Sequence, residues 1–499
     1  MTPVRVRFAP SPTGFLHIGG VRTAIFNYLF ARHHDGQFLI RIEDTDTQRS
    51  KQEYEDDILD ALKWLGLKWD EEPLRQSTRV TRHREMVEEL IERGAAFRCF
   101  VPMEKAQAMK EAEMARGGIN AFRSPDRELT PKESKARADA GEPYAIRFKV
   151  PTLDVAFKDH VRGTVTTPAH TIDDFIILRK DGTPTYMMAV VVDDSEMEIT
   201  MVIRGADHIT NTPKQVLLYQ ALGLPVPEFA HVPLILGPDK KRLSKRHGAA
   251  AVTEYRGKGY LPEAIMSYMA TLGWSAGEDK DVYTREELIE QFDLKGINKA
   301  SAVFDEQKLE WMNAQFMSQV RDCDLQQMLR PEFARRIEAG QYPHGTGPML
   351  AEAVRLLKTR AHFPVDILDK GGYFFEDPTE LEDRKAAKKR LKHEDLPARL
   401  DEMAGRFEAL QTFDEEQAEE ALRVYTEELE ENAGALIHPV RLAVSGMGSG
   451  PSLFELLVSL GQETVVRRIR TLAAHLRKHG TPPVPDDPEQ PLPKIEPLG

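Results

Sequence analysis

Two stretches far apart in this 499-residue chain hold residue types that bind anions. The first, residues 7–20, reads RFAPSPTGFLHIGG and sets His17 beside the glycine pair Gly19 and Gly20. The second, residues 238–248, reads PDKKRLSKRHG and carries Ser244 and Lys245 in a run of cations. Backbone N–H groups point outward where a loop enters a helix, and glycines there let a phosphate approach closely. A third stretch, Glu43-Asp44-Thr45-Asp46, is acidic. One of its carboxylates is expected to cap the following helix, and Glu43, at a strand's end, is best placed to face a ligand. Each stretch also has a plainer reading. A tight βα turn, with His17 capping or exposed, fits the first as well as a nucleotide site does. A solvated charge run fits the second. Spacing alone leaves both open.

The elements around these residues follow from pattern. Residues 4–8 alternate apolar and charged side chains, as a short strand does, and Pro10, Pro12 and Gly14 then break regular structure. From Val21 the chain reads as an amphipathic helix, and residues 38–42 read as a second strand. A charged helix is expected over 80–94 and a polar one over 104–116, with strands over 144–150 and 161–167. Asp181-Gly182 marks a hairpin turn. Residues 188–192 and 199–203 resume an apolar strand pattern, the second leading into Arg204. Beyond residue 248 the periods are helical, and 325–478 shows hardly any strand signal. The strongest basic run, 384–393, reads first as an exposed helix face.

Composition bounds the class. The length calls for two or more domains, and 41% hydrophobic residues can bury sizeable cores. Two cysteines cannot make a disulfide framework and fit a reducing cytosol. No run approaches the ~18 apolar residues of a membrane span. The net charge of −13 argues mildly against a nucleic-acid coat, but the charge of one face decides RNA binding.

His17-Ile18-Gly19-Gly20 and Arg242-Leu243-Ser244-Lys245-Arg246 together resemble the two signature sequences of class I aminoacyl-tRNA synthetases. The surrounding text is similar to bacterial glutamyl-tRNA synthetases over residues 4–478. The fold implied is α/β: a doubly wound, parallel-sheet (Rossmann-like) catalytic domain in two halves, 1–94 and 185–248. An acceptor-binding α/β insertion occupies 95–184. A helical stem-contact domain (249–324), a helical anticodon-binding domain (325–478) and a disordered tail (479–499) make up an all-α C-terminal half. The activity implied is ATP-dependent activation of L-glutamate and its transfer to the 3′-terminal adenosine of tRNA(Glu). In the family, tRNA must be bound before activation is efficient. The expected setting is a monomeric, cytoplasmic enzyme with no membrane partner and with Mg²⁺ held by ATP rather than by protein.

The resemblance also carries residue roles. His17 and Lys245 would be catalytic, and Gly19, Gly20, Asp207 and Ser244 would join them around ATP. Arg7 and Tyr186 would face the glutamate side chain, Glu43 with Ala9 and Ser11 its ammonium, and Arg204 its α-carboxylate. Arg360 and Arg441 would read RNA, although each also fits a surface or capping arginine. Ala206 stands where this branch commonly has glutamate, which puts one adenosine or ribose contact in doubt. Some relatives build a zinc site in the insertion from a Cys-x-Cys pair and a later Cys/His pair. Here Cys99 stands alone, Val101 takes the second position and Arg123-Ser124 replaces the later ligands. One thiolate cannot make a tetrahedral site, so no structural zinc is expected, and Cys99 reads as a free buried thiol. Rival readings are a paralogue that modifies a tRNA base, which lacks the helical half, and a glutaminyl enzyme, whose C-terminal region is typically β-barrel. A small-molecule nucleotidyltransferase leaves the helical tail unexplained. A non-catalytic RNA module leaves His17 and Lys245 unexplained.

Overall fold

The computed structural model describes residues 3–46, 48–116, 118, 121–243, 250–381, 383–480 and 494–495. It divides into two units, Met1–Met312 and Asn313–Gly499. Strands of the first unit are β1 (Arg5–Phe8), β2 (Gln37–Ile42), β3 (Leu74–Arg75), β4 (Ala96–Cys99), β5 (Ala145–Phe148) and β6 (Val155–Asp159). They continue as β7 (Gly163–Thr167), β8 (Ile176–Leu178), β9 (Met201–Gly205), β10 (Glu228–Val232), β11 (Ile235–Leu236) and β12 (Ala302–Val303). β1, β2 and β3 pair in parallel, as do β9 and β10. Thr200 N donates to Arg5 O at 3.0 Å and ties the start of β9 to β1. The C-terminal ends of β1 and β9, where parallel α/β sheets bind ligands, thereby deliver Arg7 and Arg204 to one crevice.

The helices of this unit are α1 (Ile18–His33), α2 (Gln52–Trp64), α3 (Val80–Glu92), α4 (Met103–Ala115), α5 (Pro131–Asp139), α6 (Tyr186–Glu196) and α7 (Thr212–Leu222). α8 (Val252–Gly257), α9 (Pro262–Thr271) and α10 (Arg285–Gln291) follow, and α11 (Glu306–Gln319) begins in this unit and ends in the second. Two sequence expectations fail here. α1 starts at Ile18 rather than Val21, and it is buried on nearly every side instead of being amphipathic. Its internal polar residues tie elements together: Asn27 Nδ2 donates to Ile203 O at 3.0 Å and Arg22 Nη1 to Leu272 O at 3.1 Å. Residues 188–192, expected as strand, lie inside α6. A helix packed on all faces loses its 3.6-residue signature, and a run of valines then imitates a buried strand.

The stretch 95–184 contributes to two sheets. β4, β5 and β8 form an antiparallel sheet of their own. β6 and β7 instead extend the sheet of β9 and β10, with Asp159 of β6 opposite Phe229 of β10. One core runs through both: Phe148, Phe157 and Ile177 share it with Met188, Val202 and Phe229.

Described residues of the second unit form helices and no strand. They are α12 (Asp322–Glu338), α13 (Gly347–Leu357), α14 (Asp366–Lys370), α15 (Arg384–Arg390) and α16 (Leu396–Glu408). α17 (Glu415–Glu428), α18 (Gly434–Ser445), α19 (Leu453–Leu460) and α20 (Gln462–His479) complete the unit. Buried Arg468 of α20 clamps them, donating to Tyr373 O at 2.8 Å, Val444 O at 2.6 Å and Asp377 at 2.8 Å. Most of the tail from 479 lies outside the described residues. Ile495, which is described, is buried and donates its N–H to Thr379 O at 2.7 Å.

Candidate active site

His17 is both a cap and a wall. It precedes α1 in extended backbone, and its Nδ1 accepts from Gly20 N at 3.1 Å. That bond satisfies one of the orphan donors at the helix start and leaves the neutral ring's proton on Nε2. Gly19 matters for the ring as well as for any ligand: a Cβ there would lie 3.1 Å from His17 Nδ1. The loop is fixed from several sides. Glu43 N donates to Pro10 O at 2.9 Å, Lys51 N to Pro12 O at 3.1 Å and Leu16 N to Asp57 Oδ2 at 2.8 Å. The acidic cluster does other work than the helix capping expected of it. Asp44 accepts from Ser77 N at 2.8 Å, Asp46 pairs with Arg49 at 2.7 Å, and Lys51 precedes α2 without a side-chain cap.

Arg7, Ala9, Ser11, His17, Gly19, Gly20, Glu43, Tyr186, Arg204 and Asp207 all line one cavity of about 720 Å³. Ser244 and Lys245 lie outside the described residues. The chain on either side of them lines the same cavity through Arg242, Leu243, Ala250 and Ala251. Val252 N donates to Leu16 O at 2.9 Å, so the returning segment runs beside His17. Asp207 pairs with Arg242 at 3.1 Å at the exposed rim, and Ala206 opens the short turn that carries it.

Behind the cavity sits a buried charge network. Arg7 grips Asp194 with two nitrogens, Nε at 3.0 Å and Nη2 at 3.3 Å. Arg41, fully buried, shares Asp194 and reaches Glu43 Oε1 at 3.0 Å. Burial alone would raise Asp194, but Arg41 and Arg7 outweigh it and hold the carboxyl down at about 2. At Glu43 the balance reverses: burial wins over Arg41 and Arg7 and pushes its pKa up. Asp193 is matched separately, by Arg79 at 2.7 Å and His83 at 2.9 Å. Arg204 is 5% exposed, and among the described residues no carboxylate pairs with it. Neutral groups hold it instead: His231 Nε2 at 3.1 Å, Thr212 Oγ1 at 2.9 Å and Gln215 Oε1 at 2.7 Å. Tyr186 OH lies 3.0 Å from His208 Nδ1. Burial, then Arg204, lowers His208 to about 4, so its ring is neutral near pH 7. Arg7 and Arg41 pair with Asp194 and Glu43, whereas Arg204 and Arg22, both lining the cavity, have no carboxylate partner among the described residues.

The family described as "tRNA synthetases class I (E and Q), catalytic domain" matches residues 3–311. "Anticodon binding domain" matches 324–473. A glutamate–tRNA ligase of Syntrophomonas wolfei is 42% identical over 493 residues, spanning 96% of this chain and 99% of the relative. That of Geobacter sulfurreducens is 43% identical over 479 residues, spanning 96% and 100%. The chain belongs to the glutamate–tRNA ligase family. It is accordingly an aminoacyl-tRNA ligase of class I. A crystal structure of the Elizabethkingia meningosepticum family member, in complex with its amino acid, superposes with a TM-score of 0.84 at 34% identity, covering 95% of this chain and 99% of the other.

Several residues that shape this family member's pocket escaped the sequence reading: Arg41, Asp194, His208, His231 and Asp159. Arg41 had a signal, a lone charge inside the apolar strand 38–42. The Asp193-Asp194 pair after an apolar run was another. His231 had none, since a histidine in a short strand is ordinary.

In the second unit, Arg360 is exposed and Arg441 half-buried on α18. Arg441 Nη1 is buried without a hydrogen-bond partner among the described residues. Burial and nearby Arg360 keep its pKa low against the pull of Tyr373. In the inserted stretch, Cys99 Sγ lies 3.3 Å from Ser124 Oγ, and carboxylates tie the neighbouring backbone. Asp126 accepts from Phe100 N at 2.8 Å, and Asp174 from Val150 N at 3.1 Å. Among the described residues no group of three or more His, Cys, Asp or Glu could hold a metal.

Proposed function

We propose that the cavity activates L-glutamate with ATP and passes the glutamyl group to the 3′-terminal adenosine of tRNA(Glu), releasing AMP. The observation that carries this reading is buried Arg204, which has no carboxylate partner among the described residues and lines one cavity with Arg7, His17 and the start of α1. Glutamate brings one net negative charge and glutamine none.

Asp194 occupies Nε and Nη2 of Arg7, so Nη1 remains for the substrate's side-chain carboxylate, with Tyr186 OH beside it. Glu43, whose buried carboxylate is short of positive charge, takes the ammonium together with Ala9 and Ser11. Arg204 takes the α-carboxylate and turns it toward the α-phosphorus. ATP lies over Gly19 and Gly20, against His17 and Asp207, and its Mg²⁺ is held by phosphates and water. No protein nucleophile is required. The glutamate carboxylate attacks, diphosphate leaves, and His17 Nε2–H with Lys245 and Ser244 offsets the charge that grows on the phosphates. The tRNA ribose hydroxyl then displaces AMP from the adenylate. The second unit holds the anticodon loop, with Arg360 and Arg441 at unpaired bases. The enzyme works as a monomer in the cytoplasm.

ATP–pyrophosphate exchange with and without tRNA(Glu) tests the reading. Glutamate exchange that depends on tRNA supports it, and equal exchange with glutamine sinks it. A charged site should reject the neutral amide by about 10⁴-fold, because Arg7 Nη1 would be left buried without an anionic partner. Arg7→Ala is expected to erode that discrimination. Lys245→Ala is expected to lower the adenylation rate greatly at little changed glutamate affinity.

A further inference from the structure

His231 stands on β10, wholly buried, with Asp159 on one side of its ring and, on the other, Arg204 together with Thr212 Oγ1, 3.0 Å from Nε2 and free to donate to it. Asp159 Oδ2 lies 2.6 Å from Nδ1 and also accepts His231 N at 3.0 Å. On the other side Arg204 Nε lies 3.1 Å from Nε2. A guanidinium has no acceptor, so Nε2 must carry a lone pair. A carboxylate beside Nδ1 then fixes the proton there. Only one form of the ring, neutral and protonated on Nδ1, satisfies both neighbours.

We infer that His231, locked in this tautomer by Asp159, is the positioning residue that aims Arg204 at the α-carboxylate of the amino acid. The inference rests on the proposed role of Arg204. With Nε on His231 and Nη2 on Thr212 and Gln215, two of the three guanidinium nitrogens are held from behind. Nη1 is left on the side of Tyr186 OH, 3.5 Å away and facing the cavity. A charged holder would defeat the purpose. A carboxylate in place of the imidazole would cancel the charge that Arg204 offers, and an imidazolium would repel it. The neutral imidazole fixes direction and leaves the charge whole. The charged groups facing His231 are Asp159, Arg204 and Arg162, and the rings of Phe157 and Phe229 close the remaining sides. Burial outweighs the pull of Asp159 and keeps its pKa low. Asp159 itself is anchored by Val161 N at 2.9 Å and Arg162 N at 2.7 Å, in the turn after β6. The aim of Arg204 is therefore set from a strand that belongs to the stretch between the two catalytic halves.

The test measures KM for glutamate, KM for ATP and kcat in tRNA-supported pyrophosphate exchange on the full chain. His231→Leu, which removes the ring's bonds to Asp159, Arg204 and Thr212, is expected to raise the glutamate KM by about 10–100-fold, as displacing a binding group by ~1 Å does. KM for ATP stays near the native value. His231→Gln puts a carbonyl where Nε2 was and restores the glutamate KM to within about 3-fold, whereas the shorter His231→Asn cannot reach Arg204 and does not. Arg204→Ala raises the same KM, and His231→Leu added to it raises it no further. Arg204→Ala without effect on the glutamate KM overturns both readings. If Arg204→Ala raises it while the Leu, Gln and Asn variants all keep the native value, Arg204 retains its role and His231 is a core histidine only. Should the Leu variant fail to fold, an equal glutamate KM in the Gln and Asn variants overturns the inference.

Discussion

Asp194 keeps its charge because two arginines reach it in a place where water does not. Removing it leaves Arg7 and Arg41 buried with one fewer anion, which costs about 3–5 kcal/mol for a broken buried pair. Asp194→Ala is therefore expected to lower stability by that order in urea unfolding and to raise the glutamate KM, since Arg7 loses its bidentate seat. The pH dependence has a definite sign. A carboxyl held at about 2, against an ordinary value of 3.8, contributes stability that is fully present above pH 3.8 and is lost as pH falls towards 2. Its size is about 2 kcal/mol. Over that window the stability gap between the native chain and the Asp194→Ala variant should narrow by about 2 kcal/mol; a constant gap between them counts against the network. The family resemblance named Arg7, Glu43 and Arg204 as candidates, and their places at the ends of recognisable strands supported it. The sequence hid Asp194 because its helix is buried all round, and a carboxylate's partner 187 residues away leaves no local mark.

The junction from β1 into α1 shows the same division at the level of elements. The loop, its prolines and the glycine pair were legible, because breakers act locally. That the helix begins at Ile18 was not legible, and the capping by His17 was read only as one alternative to an exposed ring, since capping depends on where the ring turns. This gives Gly19 a role beyond leaving room. Gly19→Ala brings a Cβ to 3.1 Å from Nδ1, and the ring must shift or the cap must open. The ring must give by a few tenths of an ångström, and the expected outcome is a fall in kcat smaller than the ~10²-fold of a ~1 Å misplacement, with the glutamate KM nearly unchanged. An unaltered kcat would show that the ring's position does not matter. α6 is the counterexample, where pattern misled: its valines suggested strand, and only packing reveals a helix that carries Tyr186 at one end and Asp194 at the other.

At the scale of the whole chain, a net charge of −13 coexists with an RNA substrate because cations are gathered locally. Arg441 has a buried nitrogen without a partner among the described residues, with Arg360 nearby, and it is proposed above to meet an unpaired base. Arg441→Ala is expected to lower kcat/KM for tRNA charging by about 10-fold, the worth of one lost base contact of 1–3 kcal/mol, while KM for glutamate and ATP holds steady. Charging at the native rate would remove Arg441 from the RNA surface. The basic run on α15 keeps Lys385 and Lys389 exposed, bordering a cavity with Arg390 and His438.

The strand pair β6–β7 has a consequence for anyone building chimeras of this family. The stretch 95–184 invites exchange between relatives as a self-contained cassette. Cutting at its ends would carry off both strands and bare the flank of β10 as a sticky edge for self-association. It would also export Asp159, the anchor of His231. A hybrid that leaves residues 155–167 with the host, and trades only what surrounds β4, β5 and β8, would retain the chemistry.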